Sequence, residues 1–219
     1  MSEPTGFLYP FIDAEERDAP ALLRDLAASA ESKMAESRAM RAATLARLGG
    51  TLQDAGAAMA QRFRAGGRLF TFGNGGSATD AEGAAELFRR PPHGRPVAAV
   101  SLVDDRAVLT ALANDVGFEL VFSRQLIAHA RPGDVAMGLS TSGNSPNLLR
   151  AFGEAARRGL LTVGLSGYRG GAMEASDDVD HCLVVESDSV HRIQETQDAL
   201  VLELWSIVQG HLDPVGTAP

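Results

Sequence analysis

From residue 68 onward the chain alternates between two hydrophobic periods. Short, nearly unbroken apolar runs stand at 69–72, 97–102, 134–140, 161–165 and 181–185. Runs of that length suit strands buried on both faces of a parallel sheet. Between them, apolar residues recur three and four apart over 78–90, 106–112, 119–130, 147–158 and 192–209, the period of helices with one buried face. Regular alternation of the two predicts a doubly wound α/β layer sandwich. Ligands of such sheets bind beyond the carboxyl ends of the strands, at a switch in strand order.

Ahead of residue 68 the pattern is helical throughout. Leu22, Leu23, Leu26 and Ala30 define one face of a helix over 21–37. A second helix, from 37 or 38 to 65, is anchored on Leu45, Leu48, Leu52, Met59 and Phe63, with Gly49 and Gly50 predicted to kink or split it. Two Ala-rich helices are more than one sheet needs, so they either cover it or pair with helices of another subunit. Residues 1–20 carry Phe7, Leu8, Tyr9, Phe11 and Ile12 around Pro10, which reads as a disordered end or as an arm for a neighbouring subunit. The domain expectation is therefore an arm over 1–20 and a single domain over 21–212, with 214–219 a frayed tail.

The first candidate chemistry follows the first strand. Gly73-Asn74-Gly75-Gly76-Ser77 joins strand to helix. Glycines let the backbone approach an anion closely, and a helix start offers unpaired N–H groups and the positive end of its dipole. Asn74 and Ser77 add side-chain donors, and Ser77 is also a possible helix cap. The turn is neither a dinucleotide nor a nucleoside-triphosphate fingerprint. A second cluster, Ser140-Thr141-Ser142-Gly143-Asn144-Ser145, follows the third strand, and Pro146 suits the first turn of the next helix. Capping and turn chemistry rarely requires four hydroxyls in six positions. Phosphate oxygens are well served by them.

Charge and cysteine content narrow the classes. The 219 residues carry a net charge of −8 and a pI near 5.1, which argues against non-specific nucleic-acid binding. Cys182 is the sole cysteine, which leaves no disulfide or cysteine-based zinc ribbon within one chain and fits a reducing cytoplasm. No apolar stretch is long enough for a membrane span, and the acidic N-terminus does not read as a signal peptide. The expected location is cytoplasmic.

Gly73–Ser77, Ala113-Asn114-Asp115-Val116-Gly117-Phe118, Ser140–Ser145 and Arg192-Ile193-Gln194-Glu195 occur together and in this order. The set resembles the sugar isomerase (SIS) domain family, specifically its phosphoheptose isomerase branch, from about residue 38 to about 209. The resemblance implies a five-stranded parallel sheet of the flavodoxin-like three-layer kind, a homotetramer and a sugar-phosphate ligand such as sedoheptulose 7-phosphate. It implies that Ser140, Thr141, Ser142 and Ser145 bind the phosphate. Asn74, Gly75, Gly76, Ser77 and Gln194 would face the ligand, and Asp115 would touch sugar hydroxyls or the neighbouring loop.

Aldose–ketose isomerisation needs a base beside the carbonyl and a group that shuttles protons between oxygens. By resemblance the base is a glutamate on the helix after the glycine turn, matched by Glu86, which arrives one residue early. The branch often holds zinc on histidines with that glutamate. Here Glu82 and Gly83 stand one turn before Glu86, and Leu202 stands eight residues after Gln194, where histidines are expected. No zinc or other cofactor is therefore expected. His191, or else Glu195, becomes the second proton-transfer group. Two functions follow: an isomerase of sedoheptulose 7-phosphate or a related sugar phosphate, or a phosphosugar-binding regulator or tetrameric adaptor for a protein partner. A nucleotide-dependent dehydrogenase lacks its glycine fingerprint.

Overall fold

Five strands pair in parallel, in the order β2-β1-β3-β4-β5. They are β1 (Leu69–Gly73), β2 (Ala99–Ser101), β3 (Val135–Leu139), β4 (Leu161–Gly167) and β5 (His181–Val185). The computed structural model describes residues 19–212. The expectations for the first residues and for the 214–219 tail lie outside them. All residues of β1, β3 and β4 are buried, which is why these segments read as unbroken apolar runs.

The helices are α1 (Ala19–Arg64), α2 (Gly76–Arg89), α3 (Arg106–Asp115), α4 (Val121–His129), α5 (Pro146–Arg157), α6 (Gly171–Glu174) and α7 (Val190–Leu212), with a 3₁₀ turn at Phe118–Leu120. The described residues divide into two units, 19–40 and 41–212. The described residues of the first unit are helical. The second unit holds the sheet.

Gly49 and Gly50 do not interrupt α1. A glycine in a helix costs about 1 kcal/mol relative to alanine. Burial of the flanking Leu48, Leu52, Ala55 and Met59 outweighs that cost. The helix expected over 119–130 begins as the 3₁₀ turn, and α6 is too short to leave a periodic signal.

Beneath the functional end of the sheet the core is aromatic. The Phe72 ring lies 5.3 Å from that of Phe152 and 5.4 Å from that of Phe122. Gly138, paired with Phe72 across β1 and β3, leaves the room, since a Cβ there would come within 2.6 Å of Phe152 and 2.8 Å of Phe72. The chain goes from β1 outward to β2, then crosses to β3 on the other side of β1. The switch in strand order therefore lies between β1 and β3. Gly73 pairs with Leu139, so the two strands end level and their following loops open side by side.

Candidate active site

The two loops at the switch point are bonded to each other. Asn74 Nδ2 donates to Asn147 Oδ1 at 2.9 Å, and Asn147 Nδ2 donates back to Asn74 Oδ1 at 2.8 Å. Asn147 is 2% exposed and also accepts from the Leu148 N–H. A buried amide with every polar atom engaged is costly to disturb. The sequence places Asn147 in the hydroxyl-rich segment but says nothing of its partner 73 residues away.

The glycine turn has a steric reason at each position. A Cβ on Gly73 would collide with the carbonyl oxygens of Ser77 and Leu139. Gly75 has φ 58°, which suits glycine. A Cβ on Gly76 would overlap the amide of Gln194. Helix α2 begins at Gly76, with Gly75 as its cap residue and no side-chain cap. Ser77 is therefore not the cap anticipated from the sequence. It lies inside the first turn, 3% exposed. No side chain caps this turn, and within it the Ala78 N–H donates to Gly75 O at 3.0 Å.

In the serine loop the hydroxyls divide. Ser140 is buried, and its Oγ accepts the Gly143 N–H at 3.0 Å. Ser142 Oγ accepts the Asn144 N–H at 3.2 Å. Ser145 is the cap residue of α5, its hydroxyl makes no cap bond, and Pro146 stands in the first turn as expected. Thr141, Ser142 and Ser145 are part-exposed, so three of the four hydroxyl residues remain accessible. The loop is braced from behind. The Met173 N–H donates to Gly143 O, the Ala172 N–H donates to Asn144 Oδ1, and Gln197 Nε2 donates to Ser140 O.

A cavity of about 420 Å³ opens beside the loops, lined by Asn74, Phe118, Glu119, Ser145, Pro146, Asn147 and Arg150. Phe118 is 53% exposed there, on the 3₁₀ turn. Asp115, expected at the sugar, is exposed at the end of α3, accepts from Asn114 Nδ2, and does not line this cavity. Phe118 closes the Ala113–Phe118 motif of the sequence, whereas Glu119 and Arg150 carry no such signal.

Helices α2 and α7 pack together at one side of the glycine turn. Gln194 Nε2 makes a long hydrogen bond, 3.4 Å, to Asp80 Oδ2. At about 100° per residue, Gly76, Asp80, Gly83 and Leu87 share one face of α2, and Glu86 lies about 80° away from Gly76. The structure accordingly pairs Glu86 with Arg89 and Arg90. Its side chain is 44% exposed, and the Arg89 hydrogen bond, followed by the Arg90 and Arg89 charges, holds its carboxyl below the usual range. That placement disagrees with the expectation of Glu86 as base. A carboxylate held charged by two guanidiniums on an outer face is a weak proton acceptor.

Asp80 has the opposite environment. Burial, reinforced by the Asp198 charge and opposed by the Gln194 bond, pushes its carboxyl up to about 6. Asp198 is also raised, by burial and then by Glu195. His191 and Glu195 are exposed on α7, four residues apart and to the same side of Gln194 around the helix. The donor set for a zinc of the kind the resemblance implies does not fit. Gly83 has no side chain and open space around it, and Leu202 is apolar and 53% exposed. Among the described residues no three His, Cys, Asp or Glu side chains converge.

Known proteins resemble this chain in sequence and fold. A family model described as SIS domain matches residues 34–167. The chain is 45% identical over 153 residues to a phosphoheptose isomerase of Roseiflexus sp., covering 68% of this chain and 76% of that one. It is 44% identical over 163 residues to a phosphoheptose isomerase of Campylobacter jejuni, covering 74% and 87%. The solved structure of the phosphoheptose isomerase GmhA from Neisseria gonorrhoeae superposes with a TM-score of 0.77 at 34% identity, covering 84% of this chain and 98% of that one. Among the described residues no helix is long and apolar enough to cross a membrane.

Proposed function

We propose, on the premise that this chain belongs to the SIS-domain family and within it to the phosphoheptose isomerases, that it interconverts sedoheptulose 7-phosphate with its aldose isomer through an enediol. The observation that carries this reading is the reciprocal Asn74–Asn147 amide pair. It holds the glycine turn and the serine loop side by side at the switch point, where α2 and α5 begin and where residues of both loops line one cavity. Such a space suits a phosphate monoester without any lysine. In this reading the hydroxyls of Thr141, Ser142 and Ser145 hold the phosphate. Ser140 shapes the loop from within. Asn74, Gly75, Gly76, Ser77 and Gln194 line the sugar side. His191 and Glu195 are the exposed candidates for relaying protons between the two sugar oxygens. The protein acts as a cytoplasmic homotetramer.

The placement of Glu86 and the apolar Leu202 favour a second reading, in which the same pocket binds a phosphosugar without turning it over and the assembly serves a protein partner. Both readings predict binding, and only the first predicts chemistry. Incubation with sedoheptulose 7-phosphate in D₂O, followed by NMR, separates them. Deuterium entering the carbon beside the carbonyl supports the isomerase. Saturable binding without exchange leaves the binding protein.

A further inference from the structure

We propose that Asp80, oriented by Gln194, is the base that moves the substrate carbon proton in this chain, in place of Glu86. The inference rests on the isomerase reading. Three observations carry it. Gln194 packs so closely on the glycine turn that a Cβ on Gly76 would overlap its Nε2, and the same amide reaches the Asp80 carboxylate. Asp80 therefore shares a helix face with the turn that borders the ligand space, one helical turn further along. Glu86, the residue matched by position in the family pattern, is on another face, engaged by Arg89 and Arg90. The third observation is that on this face of α2 the remaining positions, Gly83 and Leu87, carry no titratable group.

The environment suits the task. A base that works near neutral pH needs a proton affinity near that range. Burial and the facing Asp198 supply it, since a second carboxylate nearby disfavours the charged form. The Gln194 amide, donating to Asp80, keeps one carboxylate oxygen occupied and leaves the other for the carbon proton.

The step balances without a metal or a redox partner. The Asp80 carboxylate takes a proton from C1 of the open-chain ketose. The C–H pair becomes the C1=C2 bond, and the carbonyl pair of C2 moves onto O2, which takes a proton from water. In the return half the Asp80 carboxyl delivers its proton to C2. The enol O1–H pair becomes the C1=O bond, and the O1 proton returns to water. One proton is borrowed from solvent and one returned.

The test is the rate of deuterium incorporation into sedoheptulose 7-phosphate for wild type, Asp80→Asn, Asp80→Glu and Glu86→Gln, with binding of the same compound measured by calorimetry. The expected result is exchange by wild type and a fall of about 10²–10⁴-fold in Asp80→Asn with affinity within threefold of wild type. Partial recovery is expected in Asp80→Glu, whose longer carboxylate still reaches. Exchange by Asp80→Asn at the wild-type rate overturns the assignment and leaves the isomerase intact, as does loss through Glu86→Gln alone. Joint loss of binding and exchange in Asp80→Asn also overturns it, since the residue would then hold ligand. Absence of exchange in wild type that binds the sugar overturns the isomerase reading and this assignment together.

Discussion

The side-chain amide of Gln194, on the last helix, occupies the space that a Cβ would need on Gly76, 118 positions earlier in the first glycine turn. The contact joins two segments that sequence motifs treat separately, and it places the amide within reach of Asp80. Gly76→Ala should displace Gln194, whose flexible end yields more easily than backbone. Because the Gln194 bond lowers the Asp80 carboxyl, its loss should move that group further above about 6. Carbon-detected NMR of the Asp80 carboxyl checks this, and an unchanged titration in Gly76→Ala would show that the contact has no electrostatic role.

Asp80 also makes stability depend on pH. Its folded-state affinity for a proton exceeds the unfolded one, so the folded chain holds the proton over the window from about 4 to about 6. The stability this contributes is full below that window and is lost as pH rises through it. Asp80→Asn should therefore be more stable than wild type at pH 7.5, by about 1 kcal/mol once solvent screening of a half-buried group is allowed for. The gain should vanish near pH 4. Urea unfolding at the two pH values measures it.

The asparagine pair predicts a coupling energy. Asn74→Ala and Asn147→Ala each leave the other amide partly unpaired, and each should cost about 1–3 kcal/mol. The double variant should cost less than their sum. Additive losses in denaturant titrations would mean that the two amides act independently.

The serine loop predicts a division of labour. Ser145→Ala removes a hydroxyl with no cap bond and should change stability by less than about 0.5 kcal/mol. The same variant should weaken sedoheptulose 7-phosphate binding by about tenfold, the worth of one hydrogen bond to a charged group. Ser140→Ala should do the reverse in kind, since it strands the buried Gly143 N–H and should cost about 1–3 kcal/mol of stability. Calorimetry and urea unfolding on both variants separate the roles.

Gly143 predicts a backbone limit. Its φ is 66°, and a Cβ there would collide with the Gly170 carbonyl oxygen. Neither atom is the end of a flexible side chain. Gly143→Ala should lower stability by about 1–3 kcal/mol or more, and phosphosugar affinity should fall with it, because Ser142 and Ser145 flank the residue. A thermal melt within 2 °C of wild type, a flag on the order of 0.5 kcal/mol for a chain of this size, would contradict that account.

The sequence by itself determined the layers and their order. Strands buried on both faces must be apolar throughout, and helices with one buried face must repeat near 3.6, so the alternation was legible. It also placed the glycine turn and the hydroxyl-rich loop at strand ends, because glycines at close approaches and hydroxyls at helix starts are local requirements. Only the tertiary structure decided which residues meet. Glu86 sits one position along α2 from the face that reaches Gln194, and one residue turns a helix by about 100°. Motif spacing cannot separate those two positions, whereas packing of α2 on α7 does. The partnership of Asn74 with Asn147 and the approach of Gln194 to Asp80 likewise depend on β1 and β3 ending level and on α7 returning across the glycine turn. Contacts between distant segments are set by the sum of the packing, and no local residue pattern encodes them.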